Sequence, residues 1–101
     1  MPSLTIISWR DIPAQVVVRH GRETAKVQLS ARFQEAVDRA AMRAGKGSSD
    51  AYLADWKRSN PRPCGPDIQA EAAAEAARIE ARYNDEQLEV LIRAKGLAAG
   101  S

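Results

Sequence analysis

Apolar positions near the start of the chain recur in steps of two. Residues 4–9 (LTIISW) are rich in β-branched and aromatic side chains and predict a strand; 15–19 (QVVVR) and 24–29 (TAKVQL) predict two more. His20-Gly21-Arg22 separates the second from the third, and a glycine able to take positive φ favours an antiparallel hairpin. Ala25, Val27 and Leu29 fall on one face of the third strand, and Thr24, Lys26 and Gln28 on the other. That alternation predicts a sheet with one buried face and one wet face.

From Ser30 the spacing becomes helical. Ser30 is placed to cap a helix over 31–44, in which Phe33, Val37, Ala40, Ala41 and Ala44 share a stripe and Glu35 and Arg39 stand four apart. Gly45 and Gly47 end it. Ser49 or Asp50 starts a short second helix with Tyr52, Leu53 and Trp56 on one face. Pro61, Pro63 and Pro66 argue against regular structure through NPRPCGP. An alanine-rich third helix over 67–83 carries the stripe Ile68, Ala72, Ala76, Ile79 and Tyr83; Asn84 caps a fourth with Leu88, Leu91 and Ile92, and Gly96 ends it. Strands first and helices after give an α+β class: a small three-stranded antiparallel N-terminal sheet with about four helices on one face. The expected domain is 1–96, with a flexible tail over 97–101.

Composition changes this picture in two ways. The chain of 101 residues is 45% apolar, but 19 of its residues are alanine, so the core is thin and relies on close helix contacts. The aromatics Trp9, Phe33, Tyr52, Trp56 and Tyr83 are its expected anchors. The net charge of +2 divides into +5 over residues 1–63 and −3 over 64–101, a polarity satisfied either inside the fold or by a partner. No signal-peptide pattern and no apolar run of spanning length occurs. With one cysteine and no internal disulfide to form, a cytoplasmic location and no membrane association are expected.

Candidate chemistry is sparse. His20, the only histidine, reads as a solvated turn residue. Cys64, ahead of a helix start and near Arg62, is the candidate reactive thiol, weighed against an ordinary one. One His and one Cys make no zinc site, and neither a calcium loop nor a phosphate-binding glycine pattern is present; no metal and no cofactor is expected. Glu71 and Glu75 read as a solvated stripe. Arg32, Arg39, Arg43 and Lys46, followed by Lys57, Arg58 and Arg62, offer a phosphate-binding surface, against which Glu35, Asp38, Asp50 and Asp55 interleave. The connector at 8–17 (SWRDIPAQVV) admits two readings. It is a proline-shaped turn with Trp9 and Ile12 turned in and Arg10 and Asp11 turned out, or a polar patch of Arg10, Asp11 and Gln15 beside an anchored indole.

The segments SWRDIPAQVVVRHGRE, AVDRAAMRAG, SDAYLADWKR and PRPCG, in this order, resemble the bacterial "virulence factor" domain family. The likeness runs from Ile6 to about Tyr83, and a similar domain occurs in longer staphylococcal proteins called conserved virulence factor C. The resemblance implies a stand-alone cytoplasmic module, common in alphaproteobacteria, often found alongside folate- and corrinoid-dependent methyl-transfer proteins. It implies an accessory, protein-binding role in one-carbon or methionine metabolism, and supplies no catalytic residues. Within the resembling segments, Trp9, Arg10, Asp11, Pro13, Gln15, Arg39, Arg43, Tyr52 and Trp56 form the candidate interaction surface, with Cys64 beside them. The leading expectation is a non-catalytic accessory module with a protein partner. The alternatives are a thiol-based redox or transfer factor using Cys64, and a nucleic-acid-binding module. A homodimer through the third helix is a further possibility.

Overall fold

The computed structural model describes residues 2–45 and 49–97. The alternating segments form β1 (Ser3–Trp9), β2 (Ile12–His20) and β3 (Glu23–Gln28), paired antiparallel, with Gly21 at φ +63° in the β2–β3 turn. The first connection is tighter than expected. Strand β2 begins at Ile12, not at 15, so only Arg10 and Asp11 separate the strands, with Trp9 opposite Ile12. The register shifts between Ile7 and Ser8, where Ala14 is the extra residue on β2. A bulge tolerates Pro13, which would break a regular ladder, and the Ala14 carbonyl accepts the Leu29 N–H at 3.0 Å.

The helices follow as α1 (Ala31–Arg43), α2 (Ser49–Ala54), α3 (Ile68–Arg82) and α4 (Asp85–Arg93), which confirms the α+β order. Asp67 caps α3 by accepting the Ala70 N–H at 3.2 Å, and Asn84 with Gln87 forms a reciprocal capping box on α4. Ser30 behaves differently from the expectation: it makes no side-chain cap. Its N–H and hydroxyl instead both donate to the Glu80 carboxylate, at 2.6 and 2.9 Å.

The sheet is larger than three strands. Trp56 leaves the second helix and opens β4 (Trp56–Arg58), which pairs antiparallel with the end of β1, and the proline-rich segment contributes β5 (Arg62–Pro63) beside the start of β1. The strand order is β3-β2-β1-β4, with β5 also on β1. Pro63 is compatible with this place because β5 lies at an edge and is only two residues long.

Helices α1 and α3 pack on one face of the sheet, against Leu4, Val16, Val18 and Ala25, each at most 2% exposed. The α1 and α3 stripes pack as expected, the α3 stripe against β2 and β3. Glu75 corrects the expectation of a solvated acidic stripe, since it is 4% exposed between Arg62 and Arg78. Leu53, expected beside Tyr52 on the apolar face of α2, is 63% exposed. The polarity between the chain's halves is in large part neutralised internally: Arg32 pairs with Glu80 and Asp85, Arg39 with Glu89, and Arg62 with Glu75. The pair expected between Glu35 and Arg39 gives way to the longer-range one with Glu89. No helix among the described residues is long and apolar enough to cross a membrane. Of the expected tail, only Leu97 falls within the described residues, and Lys46 and Gly47 lie outside them.

Candidate functional site

The β1–β2 turn is held from three sides. Trp9 is fully buried, stacks on Tyr52 with ring centroids 6.0 Å apart, and donates its indole N–H to the Tyr52 carbonyl at 2.9 Å. Tyr52 meets Trp56 edge-on at 5.8 Å, so α2 and β4 are joined to the turn through one aromatic row. Arg10 has φ +51°, a conformation unusual for any residue but glycine, asparagine or aspartate. Its backbone N–H donates to the Asp55 carbonyl at 3.0 Å, and Nη1 donates to the Lys95 carbonyl at 2.8 Å. Nε donates to the Asp55 carboxylate at 3.3 Å, and the guanidinium lies 5.1 Å from the Trp9 ring centroid. The Asp11 N–H donates to the Gly96 carbonyl at 2.8 Å, and its carboxylate accepts from Lys57 at 3.0 Å.

Arg10 and Asp11 are therefore not turned out to solvent. They clamp the hairpin to the α2–β4 junction and to the end of α4, and backbone strain at Arg10 is offset by the groups it engages. Tyr52 and Trp56 belong to this same assembly. Pro13 is buried at the bulge, whereas Arg39 and Arg43 stand apart on α1, beside Glu89 of α4. The Arg39 hydrogen bonds, aided by the Arg43 and Arg93 charges, hold the Glu89 carboxyl below the usual carboxylate range.

Cys64 lies at the other end of β1, its N–H donating to the Pro2 carbonyl at 3.3 Å. Burial pushes the thiol up and the Glu71 carboxylate adds to this, while Arg62 only partly opposes them. Arg62, the cation expected to favour the thiolate, is bonded to Glu75 at 2.6 Å. His20 is exposed at the β2–β3 turn. Among the described residues no group of three His, Cys, Asp or Glu side chains is placed to hold a metal ion.

The surface left to consider is the sheet face opposite the helices. The register places Ser3, Arg19 and Thr24 in one row, Thr5, Val17 and Lys26 in the next, and Arg58, Ile7, Gln15 and Gln28 in the third. Arg19, Thr24, Lys26, Gln28 and Arg58 are exposed. No aspartate or glutamate occupies an outward position in these rows, and no ion pair among the described residues engages Arg19, Lys26 or Arg58. Two hollows share Trp56: one of about 480 Å³ runs from Gln15, Gln28 and Trp56 round the sheet end to Ala31 and Gln34 at the start of α1, and another of about 540 Å³ lies between Trp56, Ile7 and Arg58. Gln15 and Trp56 are thus the expected interaction residues that this face does bring together.

Sequence reasoning placed the basic surface on the first helix and in the residues after the second. Of that set, Arg32, Arg39 and Arg62 are neutralised by carboxylates. The signal for the sheet face was partly present, since Lys26 alternates onto the wet side of β3 and Arg19 stands two residues after Val17 on β2. Arg58 belongs to the expected basic set, but its place on the sheet face follows only from the pairing of β4 with β1.

No curated protein and no solved structure matches this chain. A protein-family model described as "Virulence factor" matches residues 7–92, a span that includes the β1–β2 turn, strands β2 to β5, helices α1 to α3 and all but the last residue of α4. The chain therefore belongs to the virulence factor family.

Proposed function

We propose that this protein is a non-catalytic accessory module that binds an anionic partner through the uncovered face of its sheet. The observation that carries this reading is the set Arg19, Lys26 and Arg58, exposed on one face with no carboxylate in its outward positions. Most surfaces of mixed composition neutralise their cations locally, as α1 does here; a face that leaves them unpaired produces a positive potential that attracts an oppositely charged surface. The carboxylates Glu75, Glu80 and Glu89 are engaged in structural contacts. Each is held below the usual range by arginine or Ser30 contacts, the opposite of the raised value a general acid near neutral pH requires. The link to folate- and corrinoid-dependent methyl transfer is carried by the resemblance alone.

The test is retention on an immobilised polyanion such as heparin. A triple variant, Arg19→Glu with Lys26→Glu and Arg58→Glu, should elute at much lower salt than one carrying Arg43→Glu, Arg82→Glu and Arg93→Glu, which changes net charge equally on the helices. Equal elution of the two variants would defeat the proposal.

A further inference from the structure

We infer that the ligand of this face is single-stranded RNA, held by phosphates on Arg19, Lys26 and Arg58 and by a base against Trp56. The inference rests on the binding reading above and narrows its anionic partner to one chemistry. The cations occupy three different strands: Lys26 on β3, Arg19 on β2 and Arg58 on β4. In the order β3-β2-β1-β4 this spreads charge across three strand gaps, about 14 Å at the usual sheet spacing. A track of that width suits a flexible backbone crossing the strands better than a single small anion.

Trp56 adds the second requirement. It is half-buried, supported edge-on by Tyr52, and lines both of the hollows that flank it. An indole fixed in this way offers a π-surface to an unpaired base, whereas bases of a duplex are already stacked on each other. Gln15 and Gln28 face each other across the β2–β3 ladder in the hollow next to that ring. No hydrogen bond within the described residues engages either side-chain amide. An amide both donates and accepts, and so does the ribose 2′-hydroxyl, the group that separates RNA from DNA. An acidic protein surface would meet the cations equally well but would make no use of the half-buried indole and the paired amides.

The experiment is fluorescence anisotropy with labelled oligouridine of about 12 nucleotides, repeated over a salt series. Three phosphate contacts predict a slope of log affinity against log salt of about −2, or roughly 20-fold weaker binding between 50 and 200 mM salt. Neutralising Arg19, Lys26 or Arg58 singly to Gln should flatten that slope by about 0.7 each. Trp56→Ala should weaken binding at least about fivefold with the slope unchanged. Oligodeoxyuridine and a duplex of the same length should bind more weakly than oligouridine. Equal or tighter binding of either, or variants that leave slope and affinity untouched, overturns the inference. Capture of polyglutamate without capture of oligouridine overturns it too, while leaving the anionic-partner reading in place. Capture of neither removes both.

Discussion

Gly96 lies directly against the indole of Trp9. A Cβ built on Gly96 would come 2.8 Å from Trp9 Cζ3, and the Gly96 carbonyl accepts the Asp11 N–H at 2.8 Å. The chain end of α4 is thus fitted to the β1–β2 turn at a point where only a hydrogen is tolerated. Gly96 has φ +86°, so a side chain here would be strained by backbone geometry as well as by contact.

The two contributions can be separated with Gly45, which has φ +73° and nothing within 4 Å of its Cβ position. Gly45→Ala should lose about 1 kcal/mol, the left-handed backbone cost alone. Gly96→Ala should lose about 2–4 kcal/mol, because the indole must also move. Thermal melting followed by circular dichroism reads the difference, and equal losses would show that the Trp9 contact is soft.

Arg10 supplies a second prediction about the same turn. Its guanidinium joins Asp55, the Lys95 carbonyl and the Trp9 ring, with the side chain 17% exposed. Arg10→Ala should therefore destabilise the fold by about 1–3 kcal/mol, in contrast to a surface arginine such as Arg22, whose removal should stay within about 0.5 kcal/mol. Denaturant midpoints of the two variants settle it; a neutral Arg10→Ala would restore this residue as a candidate contact for a partner.

The strands β1 to β3, the stripes of α1 and α3 and the Asn84 cap were legible because each follows from a local period or a single capping residue. β4 was not, because Tyr52, Leu53 and Trp56 also fit a helical period over so short a span. Only the pairing of Trp56 with Trp9, 47 positions away, decides for a strand. The same long-range geometry hid the role of SWRDIP. Nothing local shows that Arg10 would meet Asp55 and Lys95, or that Glu75 would be enclosed by Arg62 from β5. The composition of the uncovered face became readable only once register joined positions from separate strands.

Cys64 should behave as an ordinary, slow thiol. Burial and the Glu71 carboxylate raise its pKa, so alkylation by iodoacetamide at neutral pH should be slower than that of an unstructured cysteine peptide. The rate should climb only above the free-thiol value of about 8.5. Cys64→Ser should fold and retain heparin binding. Fast alkylation with a plateau below pH 7 would revive the redox reading.

Glu75 provides the pH test of stability. Burial disfavours its charged form, but hydrogen bonds from Arg78 and Arg62, at 2.6–2.9 Å, together with their charges, outweigh that and lower the folded-state pKa. A depressed carboxylate stabilises the fold above its unfolded value, about 4.3, and loses that contribution as pH falls through the lower folded value. Glu80 and Glu89 are shifted the same way and act in the same window. Melting temperature should therefore be nearly level from neutral pH to about pH 5 and then fall steeply. Glu75→Gln keeps the shape but removes the charge shared by Arg62 on β5 and Arg78 on α3. It should lower stability by about 1–3 kcal/mol at neutral pH and flatten the acid limb of the curve. A Glu75→Gln melt that tracks the parent across the whole pH range would show that the β5–α3 contact is held by packing and not by this ion pair.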